Sequence, residues 1–419
     1  MLFTPFYDIL SNDFTNILNR YESMENKIIY LDNNATTAVA AEVFEAMKPY
    51  FCEKYGNPSS IHRFGGSVAA DIENARRQVA SLIGAVYRDK DGNAAEIIFT
   101  SCGTESDNAA INAALQAKPE RKKIVTTAVE HPAVLHYCEE LSRNGYTVEL
   151  IGVDGQGRLD MEALKKAVDS DTAIVSAMWG NNETGTIFPV KEIARIAHEA
   201  GAFFHSDAVQ AAGKVKIDVT ECEIDFLSIS GHKLHAPKGV GALYVRRGIL
   251  FTPLIFGGHQ ERGRRGGTEN VTSVIGLGKA CEIAEKNLDE EYRYLSGMRD
   301  AFEKKLLETI PRIRINGDLA NRLPGTSSIS FECIEGESIL MLLDVFGICA
   351  SSGSACTTGS LEPSHVLRAM GIPYSAAHGT IRFSLSRYNN MKELDFVAEK
   401  LPPIIARLRE ISPYWEEQQ

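Results

Sequence analysis

At 419 residues the chain is too long for one ordinary core, which predicts two domains or one large domain with a lobe. Hydrophobic residues make up 44% and charged residues 24%, and no apolar run is long enough to cross a bilayer, which argues against a membrane-spanning role. The formal net charge of -11 argues against a broad nucleic-acid surface, because phosphate binding needs a net basic face.

Residues 1–27 read as a polar, weakly patterned leader, acidic and without the basic start and long apolar stretch of a signal peptide. Met24 stands just before the apolar run IIYLD, so the leader reads as an appendage. From Ala40 to Val245, short apolar runs alternate with amphipathic stretches. EIIFT, KIVTTA, TAIVSAMW, AFFHSDA, IDFLSIS and GALYVRR read as strands, several of them separated by helical patterns. That alternation predicts a doubly wound α/β domain with a largely parallel sheet. Residues 284–309 read as a long charged helix leading into a second unit, whose order of strand, strand, helix, loop, helix, strand, helix is that of a smaller α+β domain.

The eight cysteines show no Cys-x-x-Cys pair and no framework spacing, which fits a reducing cytoplasm. His232 with His235, or His131 and His136 with Cys138, match no metal-ligand spacing. No Walker A sequence and no G-x-G-x-x-G occurs, which removes the nucleotide readings based on those loops. The main basic cluster, Arg262, Arg264 and Arg265, lies among glycines and reads either as a solvated loop or as a local anion clamp.

In open α/β sheets, ligands bind beyond the carboxyl ends of the strands, so the residues after each apolar run carry the search for chemistry. In TSCGTESDNAA, Gly103 and small hydroxyl residues stand at a predicted helix start, where free N–H groups favour an anion; an ordinary cap by Thr104 or Ser101 is the plainer account. Lys233, in SISGHKLHAPKG, reads as a solvated loop lysine or as an amine held beside Ser230 and His232 to bond an aldehyde cofactor. Asp207 leaves an apolar strand and needs a partner if buried, either an ordinary salt bridge or cap contact or a pyridinium nitrogen. His131 precedes Pro132, a natural first residue of a helix, and reads as a structural histidine near that helix cap or as a ring that stacks and shuttles protons. Arg382 alternates with apolar neighbours in GTIRFSLSR, pointing either to water or inward as a fork for a carboxylate. Cys356 lies in ASSGSACTTGS, flanked by Gly and Ser rather than by the apolar residues that bury an inert thiol.

Taken in order, the strings YLDNNATT, GNPSSIHRFG, FTSCGTESDN, EHPAVL, NNETGT, HSDAVQAAGK, SGHKLHAPKGVGALY, GGHQERGRRGGTEN and SSGSACTTGSLEPSHVLRAM resemble the cysteine desulfurases, within the class V aminotransferase-like enzymes of PLP fold type I. The likeness runs from about Ile28 to Trp415 and is nearest to the NifS type, linked to nitrogen fixation. It implies pyridoxal phosphate (PLP) as cofactor, a mainly parallel seven-stranded sheet in a large domain over 43–288, and a small domain from 28–42 and 289–419 that carries the cysteine loop. Lys233 would form the Schiff base and Cys356 would accept sulfur. Gly103, Thr104, Ser230, Gly231 and His232 would hold the phosphate, and Thr268 would reach the neighbouring subunit's site. His131 would stack on the ring, Asp207 would pair with its nitrogen, Gln210 would bond its hydroxyl, Asn182 would contact cofactor or substrate, and Arg382 would bind the substrate carboxylate.

The same resemblance implies a cytoplasmic homodimer that converts L-cysteine to L-alanine and leaves a persulfide on Cys356, for delivery to an iron–sulfur scaffold protein. Cys356 would also serve as a transient iron ligand shared with that scaffold. Two other classes compete: a PLP transaminase or lyase without sulfur transfer, and a non-catalytic PLP-binding protein. The presence of Cys356 counts against the first, and of Lys233 and Cys356 together against the second.

Overall fold

A computed structural model describes residues 28–352 and 362–415; the leader and residues 353–361, which include Cys356, lie outside the described residues. In chain order, strand β1 (Ile29–Tyr30) leads to helix α1 (Arg63–Leu82), β2 (Ile97–Thr100), α2 (Gly103–Ala117), β3 (Lys123–Thr127), α3 (Pro132–Arg143), β4 (Thr147–Ile151) and β5 (Thr172–Ser176). Then follow α4 (Val190–Glu199), β6 (Phe203–Asp207), β7 (Phe226–Ser230), β8 (Gly241–Val245) and the long α5 (Val271–Thr309). The last part holds β9 (Ile313–Asn316), β10 (Thr326–Phe331), α6 (Gly336–Asp344), β11 (Ile348–Cys349), α7 (His365–Ala369), β12 (Thr380–Ser384) and α8 (Met391–Ile411).

Seven strands form the large sheet in the order β2-β8-β7-β6-β5-β3-β4. Only β8 runs against its neighbours; the pairs β3–β4, β3–β5, β5–β6 and β6–β7 are parallel. Strands β2, β5, β7 and β8 are buried along their whole length, which is why they stand out in the sequence as continuous apolar runs. Strand β4 does not stand out: it is a sheet edge with only one of its five residues buried, and its TVELI alternates apolar and polar residues without a run. Two apolar clusters cover this sheet, one with Val43, Val79, Ile193 and Leu277, the other with Ile111, Ile124, Val134 and Leu243.

A third cluster gathers Leu31, Phe302, Phe331, Leu343, Phe383 and Leu401 around the antiparallel sheet β12-β10-β9. Burying each of these aromatic or aliphatic side chains contributes about 1.5–3 kcal/mol. Strand β1 pairs in parallel with β11, so the first described residues sit beside the chain's last third. Helix α5 is 39 residues long and starts 13 residues before the charged stretch that marks it in the sequence, because its first turns are apolar and buried with the large sheet. Ala284 belongs to the large-sheet core and Leu295 to the small-sheet core, so this one rod spans both. Asn390 begins α8 with a reciprocal capping box to Glu393.

Candidate active site

The carboxyl ends of β2, β5, β6 and β7 and the start of α2 surround a cavity of about 400 Å³. Gly103, Thr104, His131, Asn182, Asp207, Gln210, Ser230, His232, Lys233 and Arg382 all line it. Six separate stretches of the sequence therefore converge on one place. Gly231 stands behind it in the turn Gly231–Lys233 that follows β7, where an added Cβ would come within 2.8 Å of Val240 Cγ1. Thr268 is exposed and does not line the cavity.

At one end, α2 starts at Gly103 with no side-chain cap: Cys102 precedes it and makes no capping bond, and Ser101 instead donates its hydroxyl to Glu105 at 2.5 Å. The expectation of an ordinary Thr104 or Ser101 cap fails, and the helix N–H groups open onto the cavity as a place for an anion. A Cβ at Gly103 would lie 2.7 Å from Val209 Cγ2 and 3.4 Å from Ser230 Cβ, so only glycine lets the helix approach β7 this closely. The nearby arginines are no open clamp. Arg265 pairs with Glu105 at 2.9 Å and Arg262 with Glu73 at 3.2 Å, while Arg264 donates to backbone carbonyls. Arg76 grips Glu261 through two bonds of 2.5 and 2.9 Å, which fixes this loop against α1.

His131 is the N-cap of α3: its Nδ1 accepts the Ala133 N–H at 3.1 Å, which leaves the proton of the neutral ring on Nε2. Burial, reinforced by Lys233 and two further histidines, lowers its pKa to about 4, so the ring is neutral near pH 7. His232 is lowered to about 4 by burial and by Lys233, and its Nδ1 lies 3.2 Å from Thr36 Oγ1. Lys233 Nζ donates to the carbonyls of Asn34 at 2.6 Å and Ala35 at 2.7 Å, which aims the amine from the turn after β7 into the cavity.

The opposite end is carboxylate-rich. Asp207 is 7% exposed and accepts the Val209 N–H at 2.8 Å; burial, then the charge of Asp107, raises its pKa to about 7. Gln210 donates to the Asn34 carbonyl at 2.9 Å and accepts from Lys214 at 2.9 Å. Arg382 points inward, not to water: it is 3% exposed, donating to the Asn182 carbonyl at 3.0 Å and to Asp32 Oδ1 at 2.9 Å.

The donor set fits pyridoxal phosphate by its chemistry: uncapped N–H groups for a phosphate, an amine for the aldehyde, and a carboxylate, raised to about 7 chiefly by burial, that a cationic ring nitrogen would stabilise. Among the described residues no cluster of three His, Cys, Asp or Glu side chains suits a metal, and Cys356, the expected transient iron ligand, lies outside them. Sequence reasoning missed Asn34, Lys214, Asp32 and Asp107. Asn34 joins both parts of the chain, donating to Asn182 O at 3.1 Å and Thr326 Oγ1 at 2.9 Å, a link across 292 residues that only folding reveals.

The aminotransferase class-V model matches residues 29–397. Cysteine desulfurase NifS of Azotobacter vinelandii is 57% identical over 387 residues, covering 92% of this chain and 95% of that protein. The solved structure of a NifS-like protein has a TM-score of 0.84 and 39% identity, covering 91% of this chain and all of that one. That of SspA in complex with cysteine has a TM-score of 0.75 and 34% identity over 86% of this chain and all of its own. The family match over most of the chain and the identity to NifS across nearly its whole length agree with the site chemistry: the chain belongs to the class-V aminotransferase family and, within it, to the cysteine desulfurases.

Proposed function

We propose that this PLP-dependent desulfurase removes sulfur from L-cysteine, releases L-alanine and holds the sulfur as a persulfide on Cys356 for an iron–sulfur scaffold protein, in the setting of nitrogenase assembly. The observation that carries this reading is the convergence of Lys233, Asp207, the open start of α2 and Arg382 on one cavity. The described residues that flank 353–361 touch neighbours of the cavity's lining. Ser351 pairs its backbone with Arg382; Ser364 donates to Glu183 at 2.5 Å, and His365 Nε2 lies 2.9 Å from the Glu130 carbonyl.

Bound PLP supplies an aldehyde for the substrate amine and an electron sink for charge released at the α-carbon. The chain's own groups do the rest. The α2 N–H groups, Gly103, Thr104, Ser230, Gly231 and His232 hold the phosphate, and Thr268 completes the site of a second subunit in a homodimer. His131 stacks on the ring, Asp207 pairs with its nitrogen and Gln210 binds its hydroxyl. Arg382, which lines the cavity and whose Nε has no hydrogen-bond partner among the described residues, binds the substrate carboxylate, while Asn182 fixes the position of both. Lys233 holds the cofactor at rest and then moves the α-proton, with His131 as its neutral partner. Cys356, as thiolate, forms an S–S bond to the substrate sulfur. The C–S bond breaks, and its electron pair stays with the fragment that is protonated to L-alanine. The same reading places the domain division at 288/289 within α5 and the enzyme in the cytoplasm; no helix among the described residues is long and apolar enough to cross a membrane.

Cys356→Ala tests the proposal. It leaves the cofactor cavity untouched, so the variant should stay yellow and bind L-cysteine, yet form no persulfide and almost no sulfide, whereas Cys349→Ala and Cys333→Ala should do both. Normal desulfuration by Cys356→Ala refutes the reading.

A further inference from the structure

In the middle of the large sheet, where apolar side chains are the norm, three neighbouring strands carry polar residues side by side. Ser176 of β5 pairs in register with His205 of β6, and Ser228 of β7, whose own register partner is Asp207, reaches the same imidazole; all three are fully buried. His205 Nδ1 lies 2.8 Å from Ser176 Oγ and its Nε2 lies 3.0 Å from Ser228 Oγ. The file ends at Asp107, in the second turn of α2, whose Oδ1 is 3.5 Å from His205 Nε2 and has no hydrogen-bond partner among the described residues.

A buried acceptor left in this state costs about 1–3 kcal/mol, more if charged, so a purely structural network would be arranged to satisfy it. Asp107 is 1% exposed and lines the same cavity as Asp207. Burial raises Asp107 to about 7, against the pull of the Ser228 hydroxyl, and Asp107 in turn is the second cause of the rise at Asp207. Glu130, raised to about 8 chiefly by burial, is largely protonated near pH 7, and Lys233 offsets the negative charge at Asp207. Two buried carboxylates facing one cavity are unfavourable alone and become favourable when a cationic group sits before them.

We propose that Asp107 is a positioning residue for the cofactor's ring nitrogen: held by the file Ser176–His205–Ser228, it sets a second negative charge behind Asp207 and strengthens that carboxylate's grip on the protonated nitrogen. This rests on the pairing of Asp207 with the ring nitrogen.

The test compares two ligands on the cofactor-free protein by fluorescence titration: pyridoxal phosphate and its deaza analogue, which carries carbon in place of the ring nitrogen. Asp107→Asn should weaken pyridoxal phosphate binding about tenfold, the change that one unit of proton affinity represents, and leave the analogue unchanged. A merely structural role weakens both alike, and that result, or no change in either, overturns the inference. If Asp107→Asn fails to fold, Ser228→Ala serves in its place, with a selective loss of about threefold expected; an unselective or absent loss again overturns it. Asp207→Asn separates the two levels of argument. If it too fails to discriminate between the ligands, the ring-nitrogen reading is wrong, whereas a selective Asp207→Asn beside an unselective Asp107→Asn sinks the inference alone.

Discussion

At one end of the cavity, Gly103, Ser230 and the turn Gly231–Lys233 present backbone N–H groups and small side chains; at the other, Asp207 and Asp107 present buried carboxylates, close enough for their charges to act on the buried Glu130. The first end is made by shape: a helix start brought close because one residue lacks a Cβ, with no large desolvation cost to meet. The second is made by charge, with three carboxyl groups pushed to about 7 or 8 mainly by burial. An anion site of this kind tolerates changes of charge nearby and fails when its geometry is crowded. A buried carboxylate site tolerates small changes of shape and fails when its charge is altered.

Lys233 belongs to the turn at the first end and its charge acts on Asp207 at the second, and its loss should have the largest effect. Lys233→Ala keeps the phosphate end and the carboxylate end intact, so the protein should still bind PLP, but without a borohydride-reducible linkage. Desulfuration should fall by about 10³-fold, within the range for losing a positioned proton-transfer group. Mass spectrometry of the reduced protein checks it: a label on another lysine would reassign the site.

Crowding the phosphate end comes next in size. In Gly103→Ala the new Cβ meets Val209 Cγ2 at 2.7 Å, with Ser230 Cβ at 3.4 Å, so either the helix start or the Val209 side chain must move. Overpacking of this kind costs about 1–3 kcal/mol. Retention of PLP during dialysis should drop, and urea unfolding of the cofactor-free protein should show the stability loss. Unchanged retention would mean that the close approach of α2 to β7 has no part in holding the phosphate.

The difference between the two ends also explains what the sequence makes visible. Gly103, Ser230 and Lys233 each follow an apolar run, and a reader who knows where strands end finds them. Asp107 is four residues into a helix whose first turn carries Glu105, so it reads as one more acid complementing the helix dipole. His205 is hidden inside AFFHSDA, where its neighbours identify a strand and nothing shows that β5 and β7 place Ser176 and Ser228 on either side of it. The signal that was present is a polar residue inside each of three strands that must be buried on both faces. Asn34 and Asp32 were invisible for another reason: their partners Thr326 and Arg382 lie hundreds of residues away, and no local pattern encodes a contact of that range. The sheet itself was legible wherever strands were fully buried, and the edge strand β4 was lost because half of it faces water.

The smallest predicted effect is a pH dependence that isolates the buried file from the rest of the charged end. His205 is fully buried and its pKa falls from 6.5 to about 4 because burial disfavours the charged ring, with Asp207 opposing. In the unfolded chain the ring takes up a proton below about 6.5; in the folded protein it does so only near 4. The unfolded state therefore binds more protons between those values, so the contribution of His205 is complete above 6.5 and is lost as pH falls toward 4. The slope is about 1.4 kcal/mol per pH unit at most. His205→Asn lacks this titration but loses the bonds to Ser176 and Ser228, so it should be less stable than the parent at pH 8. That deficit should shrink by about 2 kcal/mol at pH 5, where the parent bears the cost of a ring kept neutral. Urea unfolding of both cofactor-free proteins at the two pH values measures the change directly. A deficit that stays constant would mean that His205 is protonated in the folded protein as readily as in the unfolded one, and that the centre of the sheet is far wetter than the full burial of Ser176, His205 and Ser228 allows.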